Sequence, residues 1–330
     1  MYKKLRPIWW IYKYVEKKHI PKAILPNFLR VKLSKYIYEN IHNRKLDLNN
    51  PKRFSEKIVW YMLFYDNKDF KNILCKAEFK DYVKDKIGEG YTAKLYGAWT
   101  NVDDIDWESL PESFVLKSNC NSFGRCIKFI DNKNEIDFEK LKDEIRPWIS
   151  NVGLYSFARG YYEVVPKIMA EEMLGEARNQ PIDYKFFCFN GVPTYCYSAF
   201  EHFDNGVAQS SKIAFYDSEW NALPVKYKKS QCIPVDKPIH FDEMKEVAKT
   251  LSKDFPFVRV DFYDSNEKFY VGELTFYSGS MSNSYTPDSF DYEMGSFFEL
   301  PPKQRFRKMS RKELTNNHNH QLNWWFAQAL

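Results

Sequence analysis

The stretch FPFVRVDFYDSNEKFYVGELTFYSGSM, residues Phe255–Met281, decides the fold of this 330-residue chain. Its runs of aromatic and β-branched residues predict two strands, Phe257–Tyr263 and Lys268–Phe276. The polar turn Asp264-Ser265-Asn266-Glu267 lies between the two runs and joins them. The sequence therefore predicts a β-hairpin in the C-terminal half of the chain.

Three charged side chains stand out within this hairpin. Arg259 and Asp261 are two residues apart and so point to the same face of the first strand, whereas Val260 points to the other. Glu273 lies among apolar residues of the second strand. Acids in apolar strands are costly unless they are paired or bound to a metal. Two carboxylates facing one another across the hairpin, with an arginine nearby, predict a site for Mg²⁺ and phosphate, because carboxylates suit this hard cation. The alternative is a buried Arg–Asp–Glu network with a structural role.

Charge is distributed unevenly along the chain, which carries a net charge of +5. Residues 1–45 carry twelve Lys and Arg against two acids, net +10, and residues 303–330 carry six against one, net +5. Subtracting these two values from the total leaves net −10 for residues 46–302. Basic ends either attract anionic lipid or nucleic acid, or are simply solvated. The acidic centre argues against a nucleic-acid groove.

The six cysteines form no CxxC pair, and no histidine spacing indicates a zinc site. Scattered cysteines in a chain of this size are typical of reduced thiols, so we expect a cytoplasmic protein. No run of about 20 apolar residues occurs, so no membrane span is expected.

The N-terminal region is predicted to be helical, over residues 8–18 and again over Phe28–Ile41. In the first helix, Trp9 and Trp10 lie beside lysines, a pattern that suits peripheral contact with the inner face of a membrane. A helix packed on its own domain is the alternative interpretation. The sequence leaves both open.

Residues 114–130 contain a second pattern that could bind phosphate. A short strand, Phe114–Lys117, precedes the polar loop 118–124, and Arg125–Ile130 is the expected return strand. A lysine at the edge of such a loop can bind phosphates together with the loop amides. The pattern is weak alone, because most Lys-Ser-Asn turns are only turns.

The remaining elements are predicted from periodicity and turn residues. Lys185 lies within an apolar strand and requires an anion or a carboxylate. Ser55 is expected to cap a helix. The predicted elements are helices Glu56–Tyr65, Lys76–Lys86 and Asp242–Ser252, strands Thr92–Tyr96, Lys167–Leu174, Asp183–Phe189 and Thr194–Tyr197, and a polar, aromatic loop Ser278–Tyr292.

The order of lysines, acids and strands resembles the ATP-grasp superfamily, which includes D-alanine–D-alanine ligase and biotin carboxylase. It is most similar to the TupA-like branch, which is associated with teichuronopeptide, capsule and other surface-polysaccharide biosynthesis. The stretches that carry the resemblance are NPKRFSEKIVWYM (50–62), SLPESFVLKSN (109–119), DYKFFCFNG (183–191), VRVDFY (258–263) and GELTF (272–276).

This resemblance implies an α+β ATP-grasp fold, in which the antiparallel sheets of two lobes clamp ATP, with a helical N-terminal region. It implies five regions along the chain. These are a basic helical segment (1–48), a helical or αβ region (49–110), the small lobe (111–175), the large lobe with the metal site (176–302) and a basic tail (303–330).

The resemblance also implies ATP and Mg²⁺ as cofactors. Lysines near the small lobe would contact the ATP phosphates, and the end of the strand before residue 175 would bind adenine. The implied ATP-binding residues are Lys76, Lys117, Ser122, Glu171, Glu172 and Leu174. Asp261 and Glu273 would hold Mg²⁺. Arg259 would stabilise the acyl-phosphate transition state, and Lys185 would help to neutralise the transferring phosphoryl group.

The sequence departs from the family pattern at three places. Thr275 stands where many members have asparagine as a metal ligand. The loop Asn119–Gly124 lacks the histidine and the additional glycines often found there. Cys75 precedes Lys76 where aspartate is usual.

The implied activity is that of an ATP-dependent carboxylate–amine ligase acting through an acyl phosphate. Its partners would be small-molecule or glycan carboxylates, such as a uronic-acid or amino-acid group, and amines, with no nucleic acid. The oligomeric state is not predicted.

Two alternatives to the ligase remain. One is a glycosyltransferase or other nucleotide-sugar enzyme of the same pathway, although the acidic pairs Asp103-Asp104 and Glu171-Glu172 are adjacent and would point to opposite faces of a strand. The other is a non-catalytic ATP-grasp-like module.

Overall fold

A computed structural model describes most of the chain. The described residues are 7–119, 126–149, 152–174, 182–204, 207–265, 267–306 and residue 310.

Two helices form the N-terminal region, α1 (Pro7–Lys17) and α2 (Asn27–His42), as predicted. Val15 of α1 is buried, and the ring of Tyr12 lies 5.7 Å from that of Tyr36 on α2. Trp10 and Tyr14, in contrast, are 64% and 59% exposed. The helix therefore packs on the body of the protein with one face and presents aromatic side chains with the other. Over the described residues, no helix is long and apolar enough to cross a bilayer.

Three further helices follow, α3 (Phe54–Phe64), α4 (Phe70–Ile73) and α5 (Phe79–Ile87). The prediction that Ser55 caps a helix is wrong, because α3 begins one residue earlier. Glu56 takes part in the cap instead, since its Oε2 accepts from the backbone N–H of Lys52 and of Arg53, the two residues before the helix, at 2.9 and 3.1 Å. Likewise α5 begins after Lys76, which lies in the turn before the helix.

A four-stranded antiparallel sheet has the order β1-β4-β2-β3. Its strands are β1 (Leu95–Trp99), β2 (Phe114–Ser118), β3 (Ile127–Ile130) and β4 (Ile168–Glu171). Helix α6 (Phe138–Ile145) packs on one face, where its Leu141 and Ile145 join the core of this sheet. The five-region division stays a prediction. The structure places β1, which precedes residue 111, in the same sheet as β2 to β4.

A six-stranded antiparallel sheet has the order β11-β10-β5-β6-β7-β8. Its strands are β5 (Ile182–Phe189), β6 (Val192–Asp204), β7 (Val207–Asp217), β8 (Ala222–Leu223), β10 (Phe257–Asp264) and β11 (Phe269–Thr275). The pair β10–β11 confirms the predicted hairpin. A separate ribbon pairs β9 (Lys226–Tyr227) with β12 (Tyr285–Thr286).

Short 3-10 helices complete the described secondary structure. They are Lys22–Ile24, Val102–Asp104, Lys133–Glu135, Arg146–Trp148, Val152–Tyr155 and Arg159–Glu163.

Two helices cover the six-stranded sheet, α7 (Phe241–Ser252) and α8 (Asp288–Phe297). The predicted loop Ser278–Tyr292 is therefore wrong in its second half, because β12 and the first turn of α8 lie there. Asp291 of α8 is buried and accepts hydrogen bonds from the backbone and side chain of Ser55, at 2.8 and 2.6 Å. This long-range pairing, which no local pattern reveals, fixes α8 against the start of α3.

Candidate active site

An irregularity in β11 brings the two hairpin acids together. Asp261 pairs in register with Glu273, whereas the next residue, Phe262, pairs with Val271, so Gly272 has no partner. In a regular strand Val271 and Glu273 would share a face. The extra residue is a β-bulge, which turns Val271 into the core and Glu273 toward Asp261. The hairpin can therefore bury its apolar residues and still place two carboxylates side by side.

Arg259 forms a bidentate ion pair with Asp261. Nε donates to Oδ1 at 2.6 Å and Nη2 to Oδ2 at 2.5 Å, and the Asp261 side chain is buried. Burial disfavours the charged guanidinium, but Asp261 outweighs this effect and holds the pKa of Arg259 well above its usual value. Arg259 is therefore fully charged at neutral pH.

Lys185 completes the pairing of Asp261 from the neighbouring strand β5. Its Nζ lies 2.9 Å from Oδ2 of Asp261 and 2.8 Å from Oδ2 of Asp183. Burial lowers the pKa of Lys185, but the two carboxylates raise it well above the ordinary value. The sequence predicts that Lys185 requires an anion or a carboxylate, and in the structure it has two carboxylate partners.

Lys76 links the two sheets. Its Nζ donates to Oε2 of Glu273 at 2.6 Å, and its backbone N–H donates at 3.2 Å to the carbonyl of Asn119, which follows β2. The positive charge of Lys76 is the main reason that the pKa of Glu273 lies well below its usual range. Burial lowers the pKa of Lys76, and Glu273 more than compensates.

A second cluster surrounds Glu171 at the end of β4. Glu171 accepts from Lys117 of β2, and the Nζ of Lys80 lies 3.1 Å from its Oε2. Burial raises the pKa of Glu171, but the two lysines outweigh burial and lower it. Sequence reasoning missed Lys80, because nothing in the local sequence separates it from its neighbouring lysines.

Two of the predicted ATP-binding residues, Glu172 and Leu174, lie outside these clusters. Glu172 is engaged with Lys94, since its backbone N–H donates to the Lys94 carbonyl at 2.8 Å and its Oε2 accepts from the Lys94 amide at 3.1 Å. Leu174 is half-buried beyond the end of β4. Ser122 lies outside the described residues.

The donor set fits Mg²⁺ in its chemistry. Asp261 and Glu273 offer hard oxygens on facing strands, and Mg²⁺ commonly takes one or two protein carboxylates and completes its shell with phosphate oxygens and water. Thr275, the residue in place of asparagine, donates to Oε1 of Glu273 at 2.9 Å and accepts from Arg259 at 3.2 Å. No group of three His, Cys, Asp or Glu side chains that could hold a metal occurs among the described residues. Phosphate oxygens would therefore have to supply the further ligands.

The adjacent acids Asp103 and Asp104, considered above for a nucleotide-sugar enzyme, are not part of these clusters. Asp103 is exposed and forms a two-point ion pair with Arg146, both distances being 3.0 Å. Asp103 therefore gives no support to a nucleotide-sugar site, and the charged clusters at Glu171 and Asp261 remain the candidate site.

The family of the chain follows from comparison with family models. Residues 56–299 match the family described as TupA-like ATPgrasp. The chain belongs to this family. Its fold is accordingly the α+β ATP-grasp fold, with the antiparallel sheets described above. Comparison with curated proteins gives no match.

Solved ATP-binding proteins resemble the chain at low identity. D-alanine–D-alanine ligase from Bacillus anthracis, complexed with ATP, is 15% identical, with a TM-score of 0.38, over 62% of this chain and 56% of that one. N5-carboxyaminoimidazole synthetase from Staphylococcus aureus, complexed with ADP, is 13% identical, with a TM-score of 0.39, over 72% and 54%. The ATP-grasp ligase PsnB, with a phosphomimetic variant of its minimal precursor, Mg and ADP, is 9% identical, with a TM-score of 0.39, over 71% and 62%. The chain thus spans little more than half the length of these proteins.

Proposed function

We propose that this TupA-like ATPgrasp protein is an ATP-dependent carboxylate–amine ligase. The observation that carries the proposal is the convergence of three cations, Lys76, Arg259 and Lys185, on the paired acids Asp261 and Glu273. Lys76 contacts β2 through its backbone and Glu273 through its side chain, and Arg259 and Lys185 meet at Asp261. Phosphoryl transfer requires such positioned cations more than it requires a protein nucleophile.

In the proposed reaction a substrate carboxylate oxygen attacks the γ-phosphorus of ATP. The bond from that phosphorus to the bridging oxygen breaks, and ADP leaves with the electron pair. The amine nitrogen then attacks the acyl carbon, phosphate leaves, and the nitrogen loses a proton to solvent. Bound Mg²⁺, held by Asp261 and Glu273, would supply charge neutralisation at the phosphates.

The chain's own residues have distinct roles in this proposal. Lys76 and Lys117 bind the ATP phosphates, and the strand end at Glu171, Glu172 and Leu174 binds adenine. Arg259 and Lys185 stabilise negative charge on the transferring group, because both stay protonated at neutral pH. Ser122 is proposed to add a hydroxyl to the phosphate site.

The proposed acceptor is a uronic-acid or amino-acid group of a bacterial surface polysaccharide or its precursor. This finer assignment rests on the resemblance to the teichuronopeptide and capsule branch. The amine would be a small molecule or a second group of the glycan.

Purified protein incubated with Mg²⁺-ATP, uronates and amino acids tests the activity. We expect ADP, inorganic phosphate and a product whose mass corresponds to an amide. Transfer of a sugar without ATP would instead indicate the glycosyltransferase, and the absence of nucleotide binding would indicate the non-catalytic module.

We further propose that the protein acts in the cytoplasm at the inner face of the membrane. The exposed side of α1 carries Trp10 and Tyr14, one turn apart, and Lys13 and Lys17 lie beside them. Aromatic side chains next to lysines suit the boundary between headgroups and acyl chains. Such a location would bring the site close to glycan assembled on a membrane.

A further inference from the structure

Lys228 has an unusual backbone for a lysine. It follows β9, has φ of +51°, and its amide donates to the carbonyl of Ser284 at 2.9 Å. The left-handed region disfavours residues that have a Cβ atom. Strain of this kind concentrates at functional sites, which makes the surroundings of Lys228 informative.

A continuous wall of side chains joins Lys228 to Arg259. The Nζ of Lys228 lies 5.0 Å from the ring centroid of Tyr227, and this ring stacks on Tyr197 at 6.1 Å and 25°. The hydroxyl of Tyr197 accepts from Nη1 of Arg259 at 3.4 Å. These contacts connect Lys228, through two buried tyrosine rings, to the Nη1 side of the guanidinium.

The two ends of the Arg259 guanidinium face different groups. Nη2 faces Asp261, Glu273 and Thr275, which form the proposed Mg²⁺ and phosphate side. Nη1 faces the hydroxyls of Tyr197 and Ser278, the latter at 3.0 Å. Over the described residues, Nη1 is hydrogen-bonded to these two hydroxyls, whereas the ion pairs with Asp261 and Glu273 are formed by Nη2.

This wall is held in place by hydrogen bonds. Tyr227 donates to Oδ1 of Asn283 at 2.8 Å, and Nδ2 of Asn283 donates to the Ser278 carbonyl at 2.6 Å. Gly279 has φ of +62°, and a Cβ atom there would lie 1.7 Å from Oδ1 of Asn283. The wall is therefore preorganised, and Lys228 is the exposed charge at its end.

The charge of Lys228 is not compensated within the described part of the chain. Arg259, Lys185 and Lys76 each have a carboxylate partner, whereas no salt bridge joins Lys228 to a described acid. Lys228 is exposed as a residue, but partial desolvation of its ammonium group and, after it, the neighbouring Arg259 lower its pKa. An anion bound at this position would be attracted by the ammonium of Lys228, which has no salt bridge to a described acid.

We propose that Lys228 binds a carboxylate of the acceptor substrate, on the Nη1 side of Arg259. The inference rests on the proposed ligase function, because an acceptor carboxylate must approach the γ-phosphate near Arg259. An exposed ammonium over a tyrosine ring suits a polar, anionic molecule such as a uronate. Lys228 thus becomes a substrate-binding residue, separate from the groups that bind ATP.

Three variants test this role: Lys228→Met, Lys228→Gly and the matched control Lys229→Met at the neighbouring exposed lysine. Glucuronate and glutamate serve as carboxylate probes, titrated calorimetrically into protein saturated with Mg²⁺-ADP. We expect both Lys228 variants to weaken probe binding about tenfold or more, since charged hydrogen bonds contribute that much. Lys229→Met should bind the probe as the wild type does, and Mg²⁺-ADP affinity should be the same in all four proteins.

Lys228→Gly separates a binding role from a structural one. Glycine adopts positive φ freely, so this variant should melt at a higher temperature than the wild type while it loses probe binding. A lower melting temperature together with unchanged probe binding would overturn the proposal. So would equal probe affinity in Lys228→Met and Lys229→Met, or the failure of both probes to bind the wild type.

Failure of this inference is distinguishable from failure of the ligase function. Probe binding that depends on Lys228, without any ATP-dependent phosphate release, would support the site and contradict the ligase. Carboxylate-dependent phosphate release whose KM for the carboxylate is unchanged in Lys228→Met would support the ligase and contradict the site.

Discussion

The Nζ atom of Lys76 lies 2.6 Å from Oε2 of Glu273, although one residue precedes α5 and the other lies on β11. The backbone of Lys76 is bound at the same time to the carbonyl of Asn119, at the end of β2. One residue therefore contacts both sheets. A substitution that changes the charge of Glu273 should therefore also affect how Lys76 is held against the end of β2.

The Lys76–Glu273 pair predicts an acid-sensitive contribution to stability. Lys76 depresses the pKa of Glu273 in the folded protein, so the contribution is present above the unfolded pKa, about 4.3, and is lost as pH falls through the folded value. Urea unfolding at a series of pH values should show a steeper loss of stability below about pH 5 in the wild type than in Glu273→Gln. Equal slopes in the two proteins would contradict the assignment.

Lys117→Met should weaken ATP binding about tenfold, because it removes a cation proposed to contact phosphate. Lys80 remains to pair with Glu171, so the variant should stay folded. Lys128→Met is the matched control, since Lys128 lies on β3 of the same hairpin and pairs with Glu144 near the surface. Fluorescent ATP titration distinguishes the two. Equal ATP affinity in both variants would argue against a phosphate contact for Lys117.

Gly272→Ala should disturb the bulge that positions Glu273. A Cβ atom at residue 272 would lie 2.5 Å from the ring of Tyr263, and relieving that clash should cost about 1–3 kcal/mol of stability. Urea unfolding measures the cost, and the same substitution in a Tyr263→Ala background should cost less. An undiminished cost in that background would mean that the ring is not the source of the clash.

The sequence was sufficient to predict the hairpin and its charged face, because alternation along β10 is regular. It could not predict that Gly272 bulges, since the bulge depends on fitting both Val271 and Glu273 to β10. Counted back from the turn without the bulge, Asp261 would pair with Gly272, and Glu273 would lie opposite Val260.

Contacts between distant elements were also beyond the sequence. The pairing of Lys80 with Glu171 and of Asp291 with Ser55 depends on tertiary packing. Lys228 belongs to no recognisable sequence motif, and its left-handed backbone conformation is seen only in the structure. Regular strands were thus predictable from local patterns, whereas caps, bulges and ion-pair partners were not.

The exposed side of α1 predicts binding to anionic membranes. The protein should float with vesicles that contain phosphatidylglycerol and less with pure phosphatidylcholine, since each lysine near such a surface contributes about 1 kcal/mol. Trp10→Ser and Lys13→Glu should each reduce flotation. Ile239→Ser, at a 78% exposed apolar residue elsewhere, is the control. Dimerisation that Trp10→Ser abolishes, without vesicle binding, would instead assign this face to a second copy of the chain.

The most direct test of the account is phosphate release from Mg²⁺-ATP by Asp261→Asn, once an acceptor carboxylate and amine are in hand. Asp261 is buried, and both of its oxygens are bound by Arg259 and Lys185, so asparagine preserves the shape and removes the charge. We predict a folded protein, by circular dichroism, with turnover reduced about a hundredfold or more. Wild-type turnover in the folded variant, or a variant that does not fold, would mean that Arg259 and Asp261 form a structural network.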